Sequence, residues 1–359
     1  MSRFLEPDSF PKRATYMTPR IRSFLALAFG FSCGLALAGG GELPALKLDP
    51  ARTTVSGISS GAYMAHQVHI AFSDHVAGAA LIAGGPYHCA QGVLQTALSS
   101  CMTPHASKGP DVAALAAHAG EAAKAGAIAP LSGLAGDRVL ILHGKADETV
   151  AESLSTDTAS LYGMLGAFAQ PALLVRSDLA RGFTHTFPTI DAGTSCEQAT
   201  APYVGRCGFD AAGEILAALY GTSPAHEPAR DATGALRTFD QNAYRPDGAD
   251  AFLADAGYLY VPESCAKGAT CGLHVAFHGC QQNADTIGEV FVKEAGYNRW
   301  ADAYDVVVLY PQTRATMAPL NPKACWDWWG YGGADYDTRD GVQMRAVAGM
   351  AKALGAPLR

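Results

Sequence analysis

The chain has no excess of basic residues, no cysteine pair at C-x-x-C spacing, no H-E-x-x-H segment and no internal repeat. Each absence removes a class of function. With 26 Lys and Arg against 33 Asp and Glu, the formal net charge is −7, so nucleic acid is not an expected partner, because binding a phosphate backbone needs a cationic surface. The missing cysteine and histidine spacings argue against a zinc site, and neither a metal nor a cofactor is expected. The apolar run over residues 24–38 is only about 15 residues long, short of the roughly 20 that a membrane-spanning helix needs. No integral membrane association is expected.

That run reads instead as part of an export signal. Lys12, Arg13, Arg20 and Arg22 precede it, and it closes on Ala36-Leu37-Ala38, giving a basic region, an apolar region and an A-x-A site. Residues 1–38 are therefore expected to be a signal peptide, with Met17 as an alternative start, and the product is expected to be secreted or periplasmic. Cleavage removes five basic and two acidic residues, leaving 21 against 31 and a net charge of −10. It also removes Cys33 from the nine cysteines. An even count in an oxidising compartment favours disulfides. The short spacings suggest Cys89 with Cys101, Cys196 with Cys207 and Cys265 with Cys271, which leaves Cys280 to pair with Cys325. The roughly 320 residues that remain suffice for one large domain with a deep core. A monomer is expected.

Along residues 39–359, apolar strand patterns alternate with helical ones. Helices are predicted over 62–72, 111–129 with Asp111 as N-cap, 158–168, 286–304 and 341–354. Strands are predicted over 53–57, 76–83, 138–143, 172–176, 257–262, 273–277 and 306–310. Residues 223–242 are polar and poor in large apolar side chains, and read as a connection at a permutation junction. Such alternation implies a mostly parallel sheet with its functional residues in loops at the carboxyl ends of strands.

Gly57-Ile58-Ser59-Ser60-Gly61 is a G-x-S-x-G pentapeptide, the turn that lifts a nucleophilic serine between a strand and a helix in α/β-hydrolases. Several strands should precede it, yet here it comes soon after the signal. Placing the C-terminal half before the N-terminal half restores the order: strand, His278-Gly279 loop, helix, strand, helix, strand, nucleophile. The expected fold is a single-domain α/β-hydrolase, circularly permuted, with a mostly parallel central sheet flanked by helices. Ser59 is the expected nucleophile. Asp147, in a loop after a buried strand, and His185, in the next loop, complete the chain order Ser, Asp, His. His278-Gly279-Cys280-Gln281-Gln282 is an HG-type loop, so the N–H groups of Ser60 and Cys280 are the expected oxyanion donors. Trp326, Trp328 and Trp329, with His278, are candidate substrate-binding residues, since aromatic walls suit apolar esters.

Together the segments at 56–67, 143–150, 182–189, 278–282 and 325–331 (SGISSGAYMAHQ, HGKADETV, GFTHTFPT, HGCQQ, CWDWWGY) resemble extracellular and periplasmic poly(3-hydroxybutyrate) depolymerases with a circularly permuted catalytic domain. The resemblance implies a Ser59, His185, Asp147 esterase acting on poly- or oligo(3-hydroxyalkanoates) through an acyl-enzyme. Many such relatives carry a linker and a C-terminal polymer-binding domain, and none is expected here, which favours soluble oligomers or amorphous polyester. The HGCQQ and CWDWW segments also resemble feruloyl and acetyl-xylan esterases. A non-catalytic polyester- or glycan-binding protein on a hydrolase scaffold is the remaining alternative.

Overall fold

Apolar runs rich in β-branched residues build the centre of the computed structural model, which describes residues 41–359 apart from 104–108, 222–223 and 227. The expected signal peptide lies outside the described residues. The strands in chain order are β1 (Leu48–Ile58), β2 (Gly78–Ile82), β3 (Arg138–Leu142), β4 (Leu174–Asp178), β5 (Phe187–Thr189), β6 (Thr194–Ser195), β7 (Val204–Arg206), β8 (Ala235–Asp240), β9 (Ala256–Val261), β10 (Cys271–Phe277) and β11 (Val306–Tyr310). Eight of them form one sheet in the order β4-β3-β2-β1-β10-β11-β9-β8, and β5, β7 and β6 form a small separate sheet. Within the large sheet only β9 runs antiparallel to its neighbours.

The central pair is β1 with β10, in register from Thr53 opposite Leu273 to Gly57 opposite Phe277. These strands stand at opposite ends of the sequence. Counting from β8 through β11 and the helix Val342–Leu354, and only then to β1, reproduces the order of an unpermuted hydrolase. The ends meet accordingly, with Leu46 N–H donating to Leu354 O at 3.0 Å. The fold is a circularly permuted α/β-hydrolase. One face of the sheet packs on the helices Ser60–Ala71, Glu152–Leu165 and Val342–Leu354, and the other on Ala211–Tyr220 and Tyr297–Tyr304. All four expected disulfides are present.

Three expectations need correction. Residues 223–242 are not merely a connection, because Ala235–Asp240 is the edge strand β8, paired with β9 along its whole length. An edge strand with one face in solvent needs few apolar residues, and here Phe239 alone is fully buried. The single helix predicted over 286–304 is three short ones, Ala284–Ile287, Val290–Glu294 and Tyr297–Tyr304. Gly288 and Gly296 interrupt them at φ 63° and 94°, conformations that glycine adopts without the steric cost of a Cβ. The helix predicted over 158–168 begins earlier, as Glu152–Leu165. Asp111, by contrast, caps Val112–Lys124 as expected, its side chain accepting from Ala114 N–H.

The edge strand gives the first prediction. Phe239 is 2% exposed and packs edge-on against Tyr244, so Phe239→Ala should lower the unfolding free energy by about 3–5 kcal/mol. Urea titration measures this, and a loss under about 1 kcal/mol would mean that the segment does not anchor the sheet edge.

Candidate active site

Ser59 is delivered by β1 and heads the helix Ser60–Ala71 at φ 57°, ψ −124°. A non-glycine residue held there stores about 1–3 kcal/mol of strain, and the surroundings enforce it. Its N–H donates to Ile82 O at 2.9 Å. A Cβ at Gly57 would lie 2.2 Å from Gly61 O, and one at Gly61 would lie 2.3 Å from Phe277 O. Both glycines of the pentapeptide are therefore required by backbone packing. The result is a serine side chain presented at the carboxyl end of the central strand.

The next two loops supply the acid–histidine pair. Asp147 follows β3, and its Oδ1 accepts from the N–H groups of Thr149 and Val150 at 2.8 and 3.0 Å. Its Oδ2 lies 2.7 Å from His185 Nδ1. Burial of Asp147 would raise its carboxyl pKa, but the His185 hydrogen bond and charge, the Val150 N–H and the nearby His143 together hold it below the ordinary carboxylate range. An ionised carboxylate only accepts, so His185 Nδ1 carries the donated proton and Nε2 is left with its lone pair. His185 and Ser59 line the same cavity without a hydrogen bond between them among the described residues. Catalytic contacts of this kind commonly tighten only when substrate binds. Glu148, the neighbouring carboxylate, is exposed.

The strand from the other half of the chain completes the site. The loop after β10 brings Cys280 to the cavity wall, and the N–H of Cys280 finds no protein acceptor among the described residues. Ser60 opens its helix, where an N–H has no carbonyl one turn back to bond. Gln282 was not singled out from the sequence, but it fixes this loop. Its Oε1 accepts from Gly279 N–H at 2.7 Å, and its Nε2 donates to Tyr203 O at 2.8 Å. The disulfide Cys280–Cys325 then joins the loop to the tryptophan segment.

The cavity encloses about 480 Å³, with Trp328 and Trp329 on its wall beside Leu94, Leu98 and Met102. Trp328 stacks on Tyr63 at 4.2 Å and 13°. Asp327 holds the turn that carries both tryptophans, accepting from Gly330, Tyr331 and Gly332 N–H groups. Burial nevertheless pushes its carboxyl up to about 6 against those donors. Two expected substrate contacts lie elsewhere. Trp326 is wholly buried against Phe277 and does not reach the cavity. His278 is also buried; its Nε2 accepts from Thr313 N–H at 3.2 Å, so Nδ1 donates to Gly279 O at 2.7 Å. It pins the loop from behind, with its pKa lowered to about 4 by burial. The leucines and Met102 were missed because their loop carries no chemical motif, and only the fold turns it towards Ser59.

Comparison with known proteins agrees with this architecture. Residues 256–359 match the family described as Esterase PHB depolymerase. The chain is 38% identical to a poly(3-hydroxybutyrate) depolymerase of Delftia acidovorans, over 90% of this chain and 66% of that one, so it spans just under two thirds of that relative. It is 36% identical to a polyhydroxybutyrate depolymerase of Talaromyces funiculosus, over 91% of this chain and 96% of the other. The crystal structure of the PHB depolymerase from Penicillium funiculosum superposes with a TM-score of 0.77 at 35% identity, covering 87% of this chain and 98% of that one. A PHB depolymerase complexed with an R3HB trimer matches equally, at TM-score 0.77 and 34% identity, with the same coverage. With its permuted sheet, elbow serine and this degree of identity across nearly the whole of two relatives, the chain belongs to the PHB depolymerase esterase family.

Proposed function

We propose that this chain is an exported serine esterase that hydrolyses the ester bonds of poly- or oligo(3-hydroxybutyrate). The observation that carries the reading is the Asp147–His185 pair at 2.7 Å, opening onto the same cavity as the strained Ser59. His185 Nε2 takes the proton of Ser59 Oγ as that oxygen attacks the ester carbonyl. The N–H groups of Ser60 and Cys280 receive the developing oxyanion. His185 returns the proton to the departing hydroxyl oxygen, and water then attacks the acyl-enzyme by the same route in reverse, freeing the 3-hydroxy acid and Ser59. Asp147 keeps the imidazole oriented and stabilises it while it is charged. Trp328 and Trp329 provide the apolar wall against which the polyester backbone lies.

Export is supported by the four disulfides, which persist in oxidising compartments. Among the described residues no helix is long and apolar enough to cross a membrane. The named relatives do not favour the carbohydrate-esterase or non-catalytic readings.

Ser59→Ala and His185→Ala should each lower hydrolysis of 3-hydroxybutyrate oligomers by roughly 10⁴-fold or more, and Asp147→Asn by about 10⁴-fold, with the fold intact by circular dichroism. Ser60→Ala keeps the backbone donor and loses only a 3.3 Å bond from Trp326 N–H, so it should stay within about tenfold of wild type. A dead Ser60→Ala beside an active Ser59→Ala would overturn the nucleophile assignment.

The wall has its own signature. Because Trp328 lines the cavity and stacks on Tyr63, Trp328→Ala should raise KM for oligomers by about tenfold while acyl-enzyme formation persists. An unchanged KM in steady-state kinetics would remove Trp328 from substrate binding.

The acid limb follows from Asp147. Its folded pKa is lowered, so its stabilising contribution is complete above the unfolded value of about 4 and is lost as pH falls through the lower folded value. The difference in unfolding free energy between wild type and Asp147→Asn should therefore narrow below about pH 4. Denaturant titrations at several pH values would measure it.

A further inference from the structure

Behind Asp147 and His185 stands a third ionisable side chain that takes no part in the proposed proton transfers. His143 directly follows β3 and is wholly buried, and Asp147 comes four residues later in the same turn. Resting on the serine-esterase chemistry proposed for this chain, we infer that His143 is a positioning residue, which locks the turn of Asp147 so that its carboxylate stays aimed at His185.

The hydrogen bonds form one chain. His143 Nε2 lies 3.0 Å from Val150 O, and a carbonyl only accepts, so Nε2 carries the ring proton and donates it. Nδ1 is then the acceptor, and Ser155 Oγ, on the helix Glu152–Leu165, donates to it at 2.7 Å. The N–H of the same Val150 donates to Asp147 Oδ1 at 3.0 Å, while Asp147 Oδ2 faces His185 Nδ1 at 2.7 Å. A single peptide residue thus links the buried imidazole to the carboxylate. His143 Nε2 stands 3.8 Å from Asp147 Oδ2, too far for a hydrogen bond, and so does not compete for the oxygen that His185 uses. Burial lowers the pKa of His143, with His185 acting in the same sense, against Asp147, the Val150 carbonyl and Glu152, which raise it. A neutral ring leaves the negative charge of Asp147 to His185.

The turn is pressed against the loop that carries His185. A Cβ at Gly144 would lie 2.0 Å from Phe183 O, Lys145 N–H donates to Arg181 O at 2.9 Å, and Ala146 N–H donates to Phe183 O at 3.2 Å. These contacts set the spacing of the two loops. None of them touches Thr149 or Val150, whose N–H groups hold Asp147 Oδ1. His143 holds that end of the turn, at the Val150 carbonyl, and Ser155 fixes the ring in the orientation that does so.

A double-mutant cycle on hydrolysis of p-nitrophenyl butyrate tests this, because an activated simple ester reports on Ser59, His185 and Asp147 whatever the natural polyester. Glutamine places its amide nitrogen near the position of Nε2 and can still donate to Val150 O, whereas asparagine places it near Nδ1 and cannot. His143→Asn should lower kcat by about 30-fold with KM within about twofold, and His143→Gln should stay within about fivefold of wild type. In the Asp147→Asn background, His143→Asn should cost less than about threefold more, since the charge it positions is already gone. Circular dichroism and Tm check folding. Should His143→Asn fail to fold, Ser155→Ala leaves the imidazole in place and removes only the donor to Nδ1; it enters the same cycle with an expected kcat loss of about fivefold. An equal loss in both backgrounds, a loss confined to KM, a glutamine variant no better than the asparagine one, or no loss at all would overturn the positioning role. A wild type inactive on this ester and on 3-hydroxybutyrate oligomers would instead remove the esterase reading, and this role with it.

Discussion

The contact on which everything else depends is the approach of the first helix to the end of β10. The carbonyls of Phe277 and His278 stand where a Cβ on Gly61 would be, at 2.3 and 2.4 Å. Only a glycine lets the helix close onto that strand, and only that closure sets Ser59 at its positive φ with the Cys280 loop beside it. The serine turn therefore belongs to the N-terminal half, while the surface that shapes it belongs to the C-terminal half. Neither half makes a site alone. The β1–β10 ladder is the central pair of the sheet and also the seam between the two halves of the active site.

Much of this was legible because the decisive signals are local and stereochemical. A G-x-S-x-G turn, an HG loop after an apolar strand, and Asp147 and His185 after successive strand positions each encode a backbone shape or a chemical role. The permutation was legible because the elbow came too early for its fold. What the sequence concealed was what depends on neighbours. Strand β8 escaped notice because its outward face is polar, and the 286–304 segment was read as one helix because its glycines acquire meaning only through their φ values. Trp326 and Trp328 are two residues apart and chemically identical, yet one is core and the other cavity wall. A turn held by Asp327 decides between them, and pattern alone carries no information on which way such a turn faces.

Two buried carboxylates near the cavity illustrate how partners override burial. Asp147 and Asp327 are both desolvated, and both accept backbone N–H bonds. Asp147 also faces His185, and its carboxyl is held low. Asp327 has only neutral donors, and its carboxyl is pushed up to about 6. In the proposed mechanism the first supports the charge that forms on His185, while the second holds the shape of a loop. The difference lies in whether the partner can become positive.

The meeting of Leu46 with Leu354 has a practical side. It lies at the amino end of β1, whereas Ser59 follows the carboxyl end, eleven strand residues away, a distance of about 33 Å at the usual strand rise. A module fused beyond Leu354, or a surface to which the C-terminal end is tethered, therefore begins on the side of the sheet remote from the serine, whereas Gly41 pairs with Phe239 near the carboxyl end of β8. The cavity mouth stays turned outward. The permutation thus leaves the C-terminal end of the chain as a handle that can be loaded without shading the cavity mouth.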